Sequence, residues 1–341
     1  MMMKRQWMLS LMVMGVLVFG AGNVSAAAAE NADASAIQSG AAAHADSKVL
    51  AVAPEKAVVN YIPDVVYEQV PSRGYQNVAM KMDVLQPQKK EKLPAIVFVT
   101  GGGFINANRA NGLQLRMRLA EEGYVVTSIT YRVAPTAQFP EPLEDVKASI
   151  RYLRANADKF NIDPARIGII GGSAGGYLSA MAAATSGMKD FDKGENLQDS
   201  SAVKCAVDLY GLSDLTKVGD DYSDEVKAAH KSAGATEALW VNGSSVFGGR
   251  DGGILAYPDA AEAANPIHYI GEHSAPMLLM HGTADHVVSP SQTDLMFQAL
   301  KQHGIEAERY VIPDAQHGGI YWVQDQVLDV IVDFFDRHLK K

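Results

Sequence analysis

The sequence predicts an α/β fold in which a mainly parallel sheet is covered by helices on both faces. Short apolar segments alternate with helix-like segments over most of the chain after residue 95, an order typical of βαβ units. Several polar side chains also follow directly after the apolar segments. Right-handed crossovers place the carboxyl ends of parallel strands at one edge, where such sheets bind ligands. The pattern therefore predicts a single sheet with a site along that edge.

The amino terminus has the composition of an export signal. Lys4 and Arg5 precede an apolar run over residues 7–19, and small residues follow as far as Ala26. The run is shorter than the ~20 residues that span a bilayer. We therefore predict cleavage near Ala26 and export to the periplasm or the medium, without a stable membrane anchor; a retained anchor is the alternative. Residues 27–59, rich in alanine, are predicted to be a flexible tether, and residues 60–341 a single domain.

The charge and the cysteine content argue against several functional classes. The 341 residues carry a formal net charge of −9, which argues against nucleic acid or an anionic membrane surface as a partner. The one cysteine, Cys205, lies in an apolar run and is predicted to be a small buried side chain rather than a nucleophile. No group of cysteine, histidine and carboxylate residues has the spacing of a metal site, so neither a metal nor a cofactor is expected.

The predicted elements follow along the chain. Two strands, over residues 65–70 and 78–85, come first, and the second alternates apolar and polar residues as a half-solvated antiparallel strand does. Further strands are predicted at residues 95–99, 124–131, 166–170, 203–209, 276–280 and 306–312, with helices at residues 113–122, 143–160, 174–185, 289–303 and 321–339. Ser289 and Pro290 fit a helix cap and a first helical position. Residues 215–270 break the alternation and are predicted to form an irregular cap beside the site.

A serine lies in the turn between the predicted strand at residues 166–170 and the helix that follows it. The sequence Gly171-x-Ser173-x-Gly175 matches the nucleophile elbow, a sharp turn that lifts a serine above the end of a sheet. Glycine is needed because so tight a turn leaves no room for Cβ atoms. The helix N-terminus also favours developing negative charge. This context favours Ser173 as a nucleophile over an incidental serine.

A nucleophilic serine needs a base, and the base needs an acid that fixes its tautomer. Elbow enzymes carry these groups in the order serine, acid, histidine. Asp285 and His317 each follow a predicted strand and stand in that order. Of the nine histidines only His317 has both the order and the position, whereas His281 and His286 flank the acid and are expected to brace its loop. Three other aspartates compete with Asp285 for the role of the acid: Asp208, Asp214 and Asp314.

Three consecutive glycines follow the predicted strand at residues 95–99. Glycine lets backbone N–H groups approach a substrate closely, and a tetrahedral oxyanion needs at least two such donors. We predict that the donors are the N–H groups of Gly102, Gly103 and Ala174, the residue after the serine. A phosphate cradle is the alternative, but neither the Lys-Ser/Thr pair of a P-loop nor G-x-G-x-x-G spacing is present.

These motifs resemble those of the α/β-hydrolase superfamily, over most of the chain from about residue 60. Several segments look like those of hormone-sensitive-lipase-like carboxylesterases, and of the bacterial branch with acetyl-, feruloyl- and tannin-type esterases: Tyr131-Arg132-Val133-Ala134-Pro135, Phe139-Pro140, Glu144-Asp145-Val146, and residues 161–167 and 281–285. The resemblance implies Ser173 as nucleophile, Asp285 as acid and His317 as base, with ester hydrolysis through an acyl-enzyme. The sequence departs from the family at Thr100, where a histidine usually precedes the glycines, so the loop needs another brace, for which the Thr100 hydroxyl is a candidate.

The predicted function on this resemblance is that of an exported serine carboxylesterase acting on a small-molecule or carbohydrate-linked ester. A serine peptidase of the prolyl-oligopeptidase type shares the elbow, but such enzymes usually carry a propeller, and no blade repeats precede residue 60. A non-catalytic binding protein on the same scaffold is a third hypothesis, although such proteins tend to lose a triad member. The aromatic candidates for contact with the substrate are Phe104, Tyr177 and Trp322, followed by Trp240 and Tyr321.

Overall fold

The computed structural model describes residue 48, residues 50–72 and residues 74–341. Residues 55–341 form one compact unit, and all regular secondary structure of the described chain lies in it. The described residues before it, 48 and 50–54, have no regular secondary structure. The predicted signal peptide, and the predicted tether up to residue 47, lie outside the described residues. In the part of the chain that the structure describes, no helix is both long enough and apolar enough to cross a bilayer.

A mixed sheet of eight strands forms the centre of the unit. The strands are β1 (Val59–Ser72), β2 (Tyr75–Pro87), β3 (Leu93–Val99), β4 (Val125–Ile129), β5 (Ile162–Gly172), β6 (Ala206–Leu209), β7 (Met277–Gly282) and β8 (Ala307–Ile312). Their order across the sheet is β1-β2-β4-β3-β5-β6-β7-β8. The pairs β1–β2 and β2–β4 are antiparallel, and every other pair is parallel. The predicted fold class, with a mainly parallel sheet, is confirmed.

Helices cover both faces of this sheet. They are α1 (Leu113–Glu121), α2 (Glu141–Ala155), α3 (Ala174–Ala184), α4 (Asp224–His230), α5 (Thr236–Asn242), α6 (Pro258–Ala263), α7 (Ser291–Gln302) and α8 (Asp325–Leu339). Strand β3 shows why two layers are needed, because all seven of its residues are buried. Ala95, Val97 and Val99 join the core on the side of α2 and α3, whereas Ile96 and Phe98 join the core on the side of α1 and α8. A continuous apolar run is typical of a parallel strand that is covered on both faces.

The prediction of a half-solvated second strand is wrong at Asp83. This side chain lies in β2 and is buried, although it alternates with apolar residues. Its carboxylate forms an ion pair with Arg109 at 3.0 Å and accepts a hydrogen bond from the backbone N–H of Asp64 at 3.0 Å. A buried charge is tolerated when it is paired in this way. Alternation alone cannot reveal such a partner, because Arg109 lies in a loop beyond β3.

The predicted cap at residues 215–270 contains the short helices α4, α5 and α6, which lie between β6 and β7. It is tied into the core, since the indole of Trp240 is wholly buried with its ring centroid 4.4 Å from that of Phe104. The predicted helix cap at Ser289 is wrong, because α7 begins two residues later, at Ser291. The Ser289 hydroxyl instead accepts a hydrogen bond from the N–H of Asp221 in the cap. This contact fastens the cap to the loop after β7.

Candidate active site

The turn from β5 into α3 holds Ser173 in a strained backbone conformation. Its φ is 58° and its ψ is −126°, a region that residues with a side chain rarely adopt. The flanking glycines make the turn possible. A Cβ atom on Gly171 would lie 2.3 Å from the carbonyl oxygen of Gly175, and one on Gly175 would lie 2.0 Å from that of Val99. Steric crowding therefore explains both glycines of the motif.

The structure brings Ser173, His317 and Asp285 into one chain of hydrogen bonds. The Ser173 Oγ lies 2.8 Å from Nε2 of His317, and Nδ1 of His317 lies 2.7 Å from Oδ2 of Asp285. A carboxylate only accepts, so Nδ1 carries the proton and Nε2 is left to accept from the serine hydroxyl. The Asp285 carboxylate is wholly buried, whereas the imidazole keeps limited access to solvent. This arrangement can remove a proton from Ser173.

The Asp285 carboxylate accepts hydrogen bonds from backbone N–H groups of its own loop and from two histidine side chains. Oδ1 accepts from the backbone N–H groups of Val287 at 2.8 Å and Val288 at 3.0 Å, and Oδ2 faces His281 Nε2 at 3.2 Å in addition to His317. Burial by itself raises the pKa of Asp285, but the hydrogen bonds from the two histidines outweigh it and hold that pKa well below its usual range. Asp285 is therefore an anion that can stabilise an imidazolium.

His281 is the expected brace of this loop, and its surroundings fix its tautomer. Its Nε2 faces two acceptors, the Val288 carbonyl at 3.0 Å and the Asp285 carboxylate, so Nε2 carries the proton. Its Nδ1 lies 3.3 Å from the hydroxyl of Thr293, which also accepts a hydrogen bond from Nε of Arg309 at 3.2 Å. The acid is thus supported by a chain that reaches from β7 through α7 to β8.

The competing aspartates have other surroundings. Asp214 forms an ion pair with Lys217 at 2.9 Å, and Asp314 is exposed on the loop before His317. Asp208 is wholly buried in β6, and neither of its oxygens makes a standard hydrogen bond with the described residues. Of the four aspartates, Asp285 is the one that the structure joins to His317.

Asp208 gives a testable pH dependence of stability. Burial raises the pKa of its carboxyl to about 7, and the nearby N–H of Gly211 offsets only part of this. The folded protein therefore holds a proton that the unfolded chain loses near its ordinary pKa of 3.8. This contribution to stability is complete below that value and is lost as the pH rises through about 7. We expect Asp208→Asn to unfold at a temperature that rises relative to the wild type between pH 4 and pH 8.

Thermal unfolding of both proteins across that range checks the prediction. From pH 4 to pH 8 the variant is expected to gain on the order of a few kcal/mol of stability relative to the wild type, because one pKa unit corresponds to about 1.4 kcal/mol. The difference is expected to level off above pH 8. Two unfolding curves that run parallel from pH 4 to pH 8 would contradict it.

The predicted oxyanion loop lies directly against the elbow. A Cβ atom on Gly101 would lie 2.6 Å from the carbonyl oxygen of Gly172, and one on Gly102 would lie 2.1 Å from that of Asn106. The N–H groups of Gly102, Gly103 and Ala174 donate no backbone hydrogen bond within the described part of the chain. They are therefore free to donate to a bound ligand.

The Thr100 hydroxyl, the candidate brace of this loop, donates to the carbonyl oxygen of Gly101 at 3.2 Å, and two residues that the sequence did not point to hold Thr100 in turn. The hydroxyl of Tyr131 donates to the carbonyl oxygen of Thr100 at 2.8 Å, and the side-chain amide of Asn111 donates to the Thr100 hydroxyl at 3.3 Å. Thr100, at the position where the family usually has histidine, thus accepts one hydrogen bond at its carbonyl oxygen and one at its hydroxyl. Tyr131 lies in one of the segments that carry the family resemblance, and this is the sequence feature that could have indicated its role at the loop.

A cavity of about 680 Å³ lies between the glycine loop, the start of α1 and the 3₁₀ turn Ile320–Val323. It is lined by Phe98, Leu113, Leu115, Leu209, Tyr210, Trp322 and Val323, by the polar residues Thr100, Asn111 and Gln114, and by glycines at 101, 102, 112, 172 and 319. Trp322, one of the residues predicted to contact a substrate, is among these lining residues. Tyr210 was missed, although it directly follows β6 at the same edge of the sheet.

Phe104 and Tyr177 require a correction, because they do not line this cavity. Tyr177 is wholly buried, and its hydroxyl donates to the carbonyl oxygen of Ala264 at 2.7 Å. Phe104 is 2% exposed and packs against Tyr177 and Trp240 at centroid distances of 5.4 and 4.4 Å. Both rings fill the space between the elbow helix and the cap, so they support the site from behind.

The sheet order and the positions of these groups define an α/β-hydrolase. The strand–serine–helix turn follows β5, the aspartate follows β7 and the histidine follows β8. Within this class the chain belongs to the BD-FAE family, whose model matches residues 82–300. The matched range contains Ser173 and Asp285 and ends before His317.

Relatives and solved structures agree with this assignment. The chain is 31% identical to esterase LipC of Mycobacterium tuberculosis over 66% of its own length and 53% of that protein. It is 26% identical to the isoprenylcysteine alpha-carbonyl methylesterase ICME of Arabidopsis thaliana, over 75% of this chain and 57% of the relative. The chain thus spans about half the length of the curated relatives it matches.

A carbohydrate esterase from gut microbiota, solved in truncated form, has a similar structure, with a TM-score of 0.71 and 28% identity. That comparison covers 84% of this chain and 99% of the solved one. An esterase of Thermogutta terrifontis shares the fold, with a TM-score of 0.61 and 24% identity over 83% of this chain and 92% of the other.

Proposed function

We propose that this chain hydrolyses carboxylic esters through an acyl-enzyme, with Ser173 as nucleophile, His317 as general base and Asp285 as the acid. The observation that carries the proposal is the chain of two hydrogen bonds, 2.8 and 2.7 Å long, at the carboxyl edge of the sheet. Membership of a carboxylesterase family supports the reaction type. The likeness to a carbohydrate esterase at 28% identity supports it further.

In the acylation step His317 Nε2 takes the proton of Ser173 as Oγ attacks the ester carbonyl. The imidazolium that results is stabilised by the buried Asp285 carboxylate, which stays ionised. The same Nε2 then gives its proton to the departing alcohol. In the second half a water molecule attacks the acyl-enzyme, again with His317 as base, and the acid is released as Ser173 recovers its proton.

The negative charge that develops on the carbonyl oxygen is stabilised by backbone groups. We assign this role to the N–H groups of Gly102, Gly103 and Ala174. Ala174 is the first residue of α3, so the helix dipole favours an anion at the same place. The Thr100 carbonyl and hydroxyl, held by Tyr131 and Asn111, keep the glycine loop in position.

We propose a small ester as substrate, with an ester linked to a carbohydrate as the particular case. The cavity of about 680 Å³ is large enough for a ring, and its walls are mainly apolar with a few polar groups. The names of two similar solved structures, a carbohydrate esterase and a bifunctional GH43-CE protein at 28% identity, support the carbohydrate-linked case. Export is proposed from the residue pattern over 1–26 alone.

Three kinds of compound test the proposal: nitrophenyl esters of increasing acyl length, acetyl- and feruloyl-xylose esters, and dipeptide amides. We expect turnover of esters, and of at least one xylose ester, without comparable turnover of the amides. Faster cleavage of dipeptide amides would favour the peptidase instead. A protein that hydrolyses no ester, and that a fluorophosphonate does not label, would overturn the proposal and point to a binding protein.

A further inference from the structure

Tyr210 stands at the end of β6, next to the strand that carries the elbow, and its backbone is held on both sides. Its N–H donates to the carbonyl oxygen of Met280 in β7 at 2.7 Å, and the preceding carbonyl, that of Leu209, accepts from the N–H of Ser173 at 2.9 Å. The φ of Tyr210 is 44°, which is rare for a residue with a large side chain. Such strain persists only where neighbouring contacts hold it, and it clusters at functional sites.

The ring of Tyr210 lies beside the base, and its hydroxyl lies beside residues that adjoin the nucleophile and the base. It packs edge-on against the His317 imidazole and against Trp322, with centroid distances of 4.8 and 4.5 Å. Its hydroxyl lies beside Gly172 and Gly318, since Cβ atoms on those glycines would be 2.8 and 3.7 Å from Oη. These two glycines directly precede Ser173 and directly follow His317. A side chain on Gly172 would fill the space that the hydroxyl occupies.

The hydroxyl of Tyr210 has no hydrogen-bond partner among the residues that the structure describes. Tyr210 lines the cavity beside the elbow. Burial, together with the charges of Asp285 and Asp208, raises the pKa of Tyr210 to about 12. The group is therefore an O–H donor at neutral pH. A donor without a protein partner at this place is available to a ligand.

We propose that Tyr210 is a further catalytic residue, whose hydroxyl donates a hydrogen bond to the alcohol oxygen of the ester as that oxygen departs. The proposal rests on the proposed esterase function. We assign the hydroxyl to the alcohol oxygen because the ring packs against His317. That imidazole must deliver a proton to the departing alcohol oxygen. The carbonyl oxygen faces the other donors, on Gly102, Gly103 and Ala174.

The chemical step balances without a further reactant. As the tetrahedral intermediate collapses, the bond between carbon and the alcohol oxygen breaks, and its electron pair stays on that oxygen. The oxygen takes the proton from Nε2 of His317, which returns to the neutral imidazole. Tyr210 keeps its own proton and stabilises only the partial charge on the oxygen before the transfer is complete.

The dependence on the leaving group tests this role. Tyr210→Phe removes the hydroxyl and keeps the ring against His317. We expect kcat/KM for an ethyl ester to fall about tenfold, the effect of one hydrogen bond of about 1.4 kcal/mol, and kcat/KM for the nitrophenyl ester of the same acid to change less than about twofold. Nitrophenolate is a stable anion and needs little help, whereas ethoxide needs both the proton and the hydrogen bond. The ratio of the two constants does not depend on the fraction of folded enzyme.

Tyr222→Phe is the matched control, because its hydroxyl donates to the backbone carbonyl of Asp285 at 3.0 Å and so acts on the acid's loop. Any loss there is expected to be equal for both esters. Equal losses for both esters in Tyr210→Phe, or no loss for the ethyl ester, would overturn the role of Tyr210. The esterase proposal would survive that result, since it fails only if the wild-type protein neither turns over esters nor reacts with a fluorophosphonate.

Discussion

Replacement of Ser173 by alanine is expected to lower kcat for a nitrophenyl ester by about 10³-fold or more. The substitution removes the only atom that can form the acyl-enzyme, while the oxyanion donors and the cavity remain and leave a small residual rate. The backbone of the elbow is not expected to change, because alanine differs from serine only by the hydroxyl oxygen. Steady-state hydrolysis and covalent labelling by a fluorophosphonate test the nucleophilic role of the Ser173 Oγ in two independent ways.

Ser149→Ala is the matched control for this experiment. Ser149 is buried within α2, away from the turn that carries Ser173, and its hydroxyl donates to the carbonyl oxygen of Val146 in the same helix. It should keep near-normal turnover and full labelling. If Ser173→Ala retains comparable turnover of a small nitrophenyl ester, Ser173 is not the nucleophile and another hydroxyl must be sought along the same edge.

The parts of the site that could be predicted from sequence are those that local sterics and topology determine. Ser173 could be recognised because a tight turn requires glycine on both sides, and this demand is visible within five residues. Asp285 and His317 could be placed near it, although they are 112 and 144 positions away, because parallel strands bring their carboxyl ends to one edge.

Long-range packing determined what could not be predicted. The hydroxyl of Tyr131 reaches Thr100 across 31 positions, and Arg109 neutralises Asp83 from a different loop. The sequence pattern marks Asp83 as a solvent-facing residue, since a period of two cannot reveal a buried partner. Tyr210 was missed for a similar reason. Its position after β6 was visible, but the direction of its ring depends on how Trp322 and His317 pack.

The cap shows the same limit on a larger scale. Its lack of strand–helix alternation correctly indicated an interruption between β6 and β7, with only short helices there. No pattern in the cap indicated that Trp240 would be buried against Phe104, directly behind the glycine loop. The cap therefore supports the site from within the core in addition to lying beside it. An aromatic residue in an irregular segment carries no periodic signal of burial.

Asp285→Asn is expected to reduce kcat about 10³- to 10⁴-fold while leaving the fold intact. An asparagine has nearly the same shape, and its carbonyl oxygen can still accept from the backbone N–H groups of Val287 and Val288 in place of Oδ1. The difference lies at His317, because an amide that offers N–H to Nδ1 forces the proton onto Nε2. The imidazole then faces the Ser173 hydroxyl with a donor and cannot act as its base.

The matched control is Asp314→Asn, which makes the same change three residues before His317. Asp314 is exposed, and its backbone N–H donates to the hydroxyl of Thr283, so its carboxylate is not needed for that contact. We expect kcat to change less than about twofold. A loss in Asp314→Asn equal to that in Asp285→Asn would contradict the assignment of the acid.

The double variant Ser173→Ala with Asp285→Asn decides whether the two groups act as one unit. If Asp285 works only through His317 upon Ser173, its carboxylate has nothing left to promote once the serine hydroxyl is gone. The double variant should then retain the same residual rate as Ser173→Ala alone, instead of the product of the two losses. A further loss of 10²-fold or more in the double variant would mean that Asp285 stabilises the transition state independently of the serine. Kinetics of the wild type, the two single variants and the double variant on one nitrophenyl ester distinguish these cases.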